Sequence, residues 1–166
     1  MIRFQSKSKL GGSISLAAAM AALFAGVLPS QAADPVTFKV EAPFDDVRFD
    51  LESAIINRGL VIDHTSHVGE MLARTKEDVG GTKDIFGNGD VMLFCSAALS
   101  RKVMEADPLN IGYCPYSVFV FDTPDAPGQV TVGYMPLDER GNDASKAAIA
   151  EVNALLDELA REAAGQ

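Results

Sequence analysis

Cys95 and Cys114 are the only cysteines of this 166-residue chain, and His64 and His67 are its only histidines. Three chemistries can be drawn from them. The first is a disulfide, the ordinary use of an even cysteine count in an oxidising compartment. Closing the intervening loop would contribute about 3 kcal/mol by restricting the unfolded chain. Cys-x-x-Cys is absent, which argues against a thioredoxin-like redox centre. The second chemistry is metal or haem binding. His64 and His67 lie three apart, and imidazole beside the thiolates or the thioethers of Met71, Met92, Met104 and Met135 would suit copper. Cys-x-x-Cys-His is missing too, so haem could be held only non-covalently, through a His or Met. The methionines have a duller use, since they stand in apolar stretches where filling a core is their usual task. The third chemistry is hydrolysis, with Cys95 or Ser96 as nucleophile, His67 as base and Asp63 to orient it. Neither a Gly-x-Ser-x-Gly elbow nor another diagnostic spacing supports that triad. Gly87-Asn88-Gly89 lacks the lysine and helix start of a phosphate loop. Tyr113, Pro115 and Tyr116 flank the second cysteine and could line a small apolar pocket or a dimer seam; a turn packed on the core is the plainer reading.

Which chemistry is open depends on where the chain works. Arg3, Lys7 and Lys9 precede an apolar run from Ile14 to Leu28, then Pro29 and the small-residue site Ser30-Gln31-Ala32. That is the layout of a cleavable signal peptide over residues 1–32, with cleavage after Ala32, and it predicts a periplasmic or secreted protein. The run is short for a retained membrane anchor. Cleavage would remove three positive charges and no negative ones, taking the formal net charge from −9 to −12. Such an acidic domain repels nucleic acid and anionic lipid; it suits a cation or a basic partner, or is simply a solvated acidic surface. No second apolar run is long enough to span a membrane. The remainder has the size of one domain.

The elements that must position these residues follow from periodicity. Val36–Val40 alternates as a half-buried strand. Asp45 is placed to cap a helix, Phe44 and Phe49 to staple its start, and Gly59 to end it. Val47, Leu51, Ala54 and Ile55 share its inner face. Leu60–Asp63 begins a second strand, His67–Val79 reads as a helix closed by Gly80-Gly81, and Val91–Cys95 as a buried central strand. Leu99–Glu105 is a short helix. Tyr116–Phe121 and Gln129–Tyr134 form a hairpin across a Pro/Gly loop. Asp143–Ala163 is a long amphipathic helix, with Ile149, Val152, Leu155, Leu156 and Leu159 on one stripe. That stripe is expected to pack on the sheet rather than on a second subunit. The pattern predicts an α+β fold: one compact domain with a mixed or antiparallel sheet, helices on one face and a C-terminal amphipathic helix.

Several of these segments carry a resemblance. Phe44-Asp45-Asp46-Val47, Gly59-Leu60-Val61-Ile62-Asp63-His64, Ser117 to Asp122 and Gly128 to Tyr134 are similar to the domain of unknown function 302 family. Phe94-Cys95-Ser96-Ala97, with Pro108 and Cys114-Pro115-Tyr116 downstream, also resembles it. The likeness covers most of residues 36–137, leaving the 143–163 helix outside. Members often carry Gly-Asn-Pro after the third strand; Cys95-Ser96-Ala97 stands here, together with a longer segment between the second and third strands. This chain therefore looks like a cysteine-bearing exported branch. The resemblance implies a compact α+β fold and a homodimer, and no activity.

The leading expectation is a non-enzymatic periplasmic binding or interaction domain with a Cys95–Cys114 disulfide. A metal- or haem-binding redox accessory protein using His64, His67 and the cysteines comes second, and a cysteine-dependent enzyme third.

Overall fold

In the computed structural model, residues 33–166 are described; the expected signal peptide, residues 1–32, lies outside the described residues. Five strands, β1 (Val36–Glu41), β2 (Val61–Ser66), β3 (Gly89–Cys95), β4 (Tyr116–Asp122) and β5 (Gln129–Tyr134), form one sheet in the order β1-β5-β4-β3-β2. Every neighbouring pair is antiparallel. The helices are α1 (Phe44–Asn57), α2 (Val68–Thr75), α3 (Ala97–Ala106) and α4 (Asp143–Ala163), with a 3-10 helix at Pro108–Tyr113. This is the expected α+β domain, and its sheet is wholly antiparallel. Among the described residues no helix is long and apolar enough to cross a membrane.

Alternation explains the layering. Phe38, Met92, Phe94, Tyr116, Val118, Val120, Val130 and Val132 are buried on one face of the sheet, as the period of two in a strand requires. Val47, Leu51, Ala54 and Ile55 of α1 and Ile149, Val152, Leu156 and Leu159 of α4 cover that face. The α4 stripe thus packs inside its own domain, with Leu155 partly buried at its margin. Val91, Leu93, Phe119 and Phe121 alternate onto the opposite face and stay half-buried. β3 is an interior strand with one open face, rather than one enclosed on both.

α1 joins the two edges of the sheet, since it follows β1 and precedes β2. Its ends depart in part from expectation. The helix starts at Phe44, and the Pro43 carbonyl accepts from the Asp46 and Val47 amides. Asp45 therefore caps nothing and favours the helix dipole instead. Phe49 is 65% exposed and forms no staple, because the buried stripe 47-51-54-55 leaves position 49 outside. Gly59 ends the helix as expected, at φ +72°, in the left-handed region that costs glycine least. β2 begins later than its sequence suggests and runs to Ser66, because a register shift between Ile62 and His64 resets its alternation. α3 starts at Ala97, where Ser96 Oγ accepts from the Leu99 amide as the N-cap.

Candidate functional site

The cysteines and His67 lie at opposite ends of the sheet, with His64 between them along β2. At the end where β3 finishes and β4 begins, Cys95 and Cys114 are joined in a disulfide, with Cα atoms 6.5 Å apart. That bridge is the sequence's first expectation, and it leaves neither sulfur as a free thiol. Ser100 Oγ lies 3.7 Å from Cys114 Sγ and donates to Tyr116 Oη at 3.1 Å. Burial pushes the Tyr116 hydroxyl above its ordinary pKa of 10.0, and the Ser100 hydrogen bond partly offsets it. Tyr116 belongs to the core, with 1% of its surface exposed. Tyr113 instead turns outward to the 138–140 loop, donating to the Asp138 carbonyl at 2.8 Å with Arg140 over its ring. Pro115 is exposed and follows a cis peptide. The three residues drawn together as a pocket therefore face different surroundings.

The hydrolytic triad is not assembled. Ser96 is the cap of α3, Cys95 is bridged, and Asp63 sits at the irregularity of an edge strand. His64 lies in β2 opposite Leu93 and is exposed. His67 follows the far end of β2, whose start, Val61, pairs with Cys95. The length of that strand, roughly 17 Å, separates His67 from the sulfurs. Among the described residues no group of three or more His, Cys, Asp or Glu side chains is arranged to hold a metal ion.

His67 is engaged elsewhere. Its Nδ1 lies 2.8 Å from Asp90 Oδ1, and Arg48 Nε donates to Asp90 Oδ2 at 2.7 Å. Asp90 is buried, and burying a carboxylate is tolerated only when it is paired and hydrogen-bonded. A carboxylate only accepts, so Nδ1 of His67 carries a proton; in the neutral ring Nε2 then keeps its lone pair. Arg48 projects from α1, His67 precedes α2 and Asp90 is the second residue of β3, so three elements converge on one carboxylate. The close approach of α2 to β3 requires glycine: a Cβ on Gly69 would lie 2.6 Å from the Gly89 amide nitrogen. The Gly87-Asn88-Gly89 turn is held by Asp122, which accepts from the Asn88 amide at 2.6 Å and from its side chain at 3.1 Å.

These residues border a cleft of about 510 Å³ between the starts of α1 and α2. Phe44, Asp45 and Arg48 form one wall; His67, Gly69, Glu70 and Ala73 form the other; residues 87–90 form the floor. A second, apolar groove of about 260 Å³ lies on the open face of the sheet, bordered by Val68, Phe86, Val91, Phe119 and Phe121.

Residues 36–163 match the family described as Domain of unknown function DUF302. The chain belongs to the DUF302 family. The match runs on through α4, so this DUF302 domain includes the helix that the likeness in sequence left outside. A solved structure with a similar fold is an uncharacterized conserved DUF302 protein from Bacillus stearothermophilus, at TM-score 0.64 and 15% identity. The alignment covers 78% of this chain and 97% of that one. At that identity the likeness speaks for the fold alone. No curated protein matches the chain.

Arg48 and Asp90 are the site residues that sequence reasoning missed. They stand 42 positions apart, and Asp90 lies 23 from His67. Asp90 carried a weak signal, as a charged residue directly ahead of an apolar strand.

Proposed function

We propose that this protein is an exported, non-enzymatic binding domain, braced by its disulfide at one end and receiving a small ligand in the α1/α2 cleft at the other. The observation that carries the reading is the Arg48–Asp90–His67 cluster. A buried carboxylate fixes an imidazole whose side chain is still 55% exposed and whose Nε2 is uncommitted. Holding a side chain in one tautomer and orientation lowers the cost of ordering it around a ligand. The bridged cysteines count against the cysteine-dependent enzyme, and the separation of His67 from the sulfurs counts against a shared metal site. The n-region, apolar run and Ala32 cleavage signature support export. The acidic balance supports a partner other than nucleic acid.

Expression of the full chain in a Gram-negative host tests the reading. Protein recovered from the periplasm should begin at Ala33 and titrate no thiols when denatured without reductant. Cytoplasmic protein retaining residues 1–32 would overturn export, and two free thiols would overturn the brace. A panel of small acidic, basic and neutral compounds should include at least one that raises the melting temperature of wild type more than that of His67→Ala. Equal shifts in both proteins would remove the cleft from the reading.

The half-buried face bearing Val91, Leu93, Phe119 and Phe121 supports the homodimer that the family resemblance implies. Size-exclusion chromatography at two concentrations checks it, and a monomer at both refutes it.

A further inference from the structure

The polar groups around the cleft divide into those already satisfied and those still free. Arg48 gives Nε to Asp90 at 2.7 Å and Nη1 to Glu52 at 3.5 Å, so two carboxylates answer its charge. Asp90 spends one oxygen on Arg48 and the other on His67. Beyond Nη2 of Arg48, three groups remain. In the neutral ring Nε2 of His67 is an acceptor, because Nδ1 holds the one proton. Asp45 makes no ion pair among the described residues, and Glu70 meets only the exposed Arg74, at 4.0 Å. Apart from Nη2 of Arg48, whose charge two carboxylates already answer, each of these groups is an acceptor or an anion.

The duller account of Asp45 and Glu70 is that each sits in the first turn of a helix, where a negative charge is favoured. The same acids answer the first-turn amides that would otherwise attract an anion. Dipole preference explains why each acid stands where it does. It does not require both helix starts and a tautomer-fixed imidazole to meet on one cleft.

Resting on the reading of this cleft as a ligand seat, we infer that it takes a small molecule carrying a protonated amine or guanidinium. The N–H groups of such a ligand donate to His67 Nε2, and its charge faces Asp45 and Glu70. The Phe44 ring offers an apolar wall for its methylene stem and a face for its cation. The formal net charge of −9 draws a cation towards the protein and repels an anion before contact.

The test is a titration of uniformly 15N-labelled protein with agmatine, followed by amide spectra at fixed ionic strength and pH. Sodium acetate and inorganic phosphate are titrated in parallel. Agmatine is expected to shift the amides of 44–48, 67–70 and 87–90 along a saturable curve, with acetate and phosphate at least about tenfold weaker. Glu70→Gln and Asp45→Asn, both at exposed positions, should each weaken agmatine binding about three- to tenfold while leaving the remaining spectrum in place. Saturable acetate or phosphate binding at these amides would keep the cleft as the site and overturn the ligand class. Shifts spread over the acidic surface without saturation would overturn the inference. If none of the three probes perturbs the cleft, the inference and the underlying reading fall together.

Discussion

Reducing the Cys95–Cys114 bridge frees the unfolded chain to explore conformations that the crosslink forbids. The two cysteines are 19 positions apart, and the loop between them holds α3 and the 3-10 helix. For a closed loop of that length the chain-entropy relation gives about 3 kcal/mol at 25 °C. A domain of about 130 residues has an unfolding entropy near 0.3 kcal/mol/K, so the same loss corresponds to a fall of about 10 °C in melting temperature. The assay is urea unfolding and calorimetry of the oxidised protein, the reduced protein and Cys95→Ala/Cys114→Ala. The reduced protein and the double variant should agree, because the constraint acts on the unfolded state and both remove it. Their urea m-value should rise slightly as the unfolded chain expands. A change of less than about 2 °C in protein shown by thiol titration to be fully reduced would refute the reasoning.

Gly69→Ala should destabilise by about 2 kcal/mol, since its methyl meets the Gly89 backbone, whereas Gly112→Ala, with nothing within 4 Å of its added Cβ, should be neutral or slightly stabilising. Urea midpoints of the two variants check the contrast. Asp90→Asn places an amide against two donors, and a loss of about 2 kcal/mol is expected, below the range for a fully buried pair because Arg48 and His67 are partly exposed. A loss under about 0.5 kcal/mol in urea would show that the cluster does not hold α1, α2 and β3 together. Burial raises the Tyr116 hydroxyl pKa; burial, then the adjacent Asp157, raises that of Tyr134. Each folded value exceeds the unfolded one, so their contribution to stability is complete below pH 10.0 and is lost as pH climbs through the raised values. Tyrosinate absorbance should show Tyr116 and Tyr134 ionising together with alkaline unfolding; ionisation of both near pH 10 in folded protein would contradict this.

The two elements with the simplest burial patterns were legible to the residue. In α4 the stripe from Ile149 to Leu159 repeats at helical spacing without interruption, and β5 alternates through Val130 and Val132. For β2 only the beginning was legible, because its irregularity shifts the phase of alternation after Ile62, so Thr65 and Ser66 no longer extend the apolar pattern. Asp45 is the right type for a cap, yet the helix starts one residue earlier, and the choice rests on backbone geometry that composition does not encode. The disulfide was legible because an even cysteine count and the expectation of export were enough to suggest it. The Arg48–Asp90–His67 cluster was not. Each member is unremarkable in its own segment, and only the meeting of α1, α2 and β3 makes them neighbours. His67 was singled out for the wrong associates, His64 and Asp63, because those are near it in sequence.

The two edges of the sheet bear on how copies of this chain can meet. β1 and β2 each leave one row of backbone amides and carbonyls unpaired within the sheet, a template for strand-by-strand growth into fibres. β1 sets the exposed charges of Lys39 and Glu41 along its edge, and the irregularity at Asp63 breaks the even spacing that an incoming strand would need along β2. A charged margin on one side and a broken register on the other let the sheet stop at five strands. The homodimer proposed above would instead meet face to face, a contact that closes on itself and does not propagate.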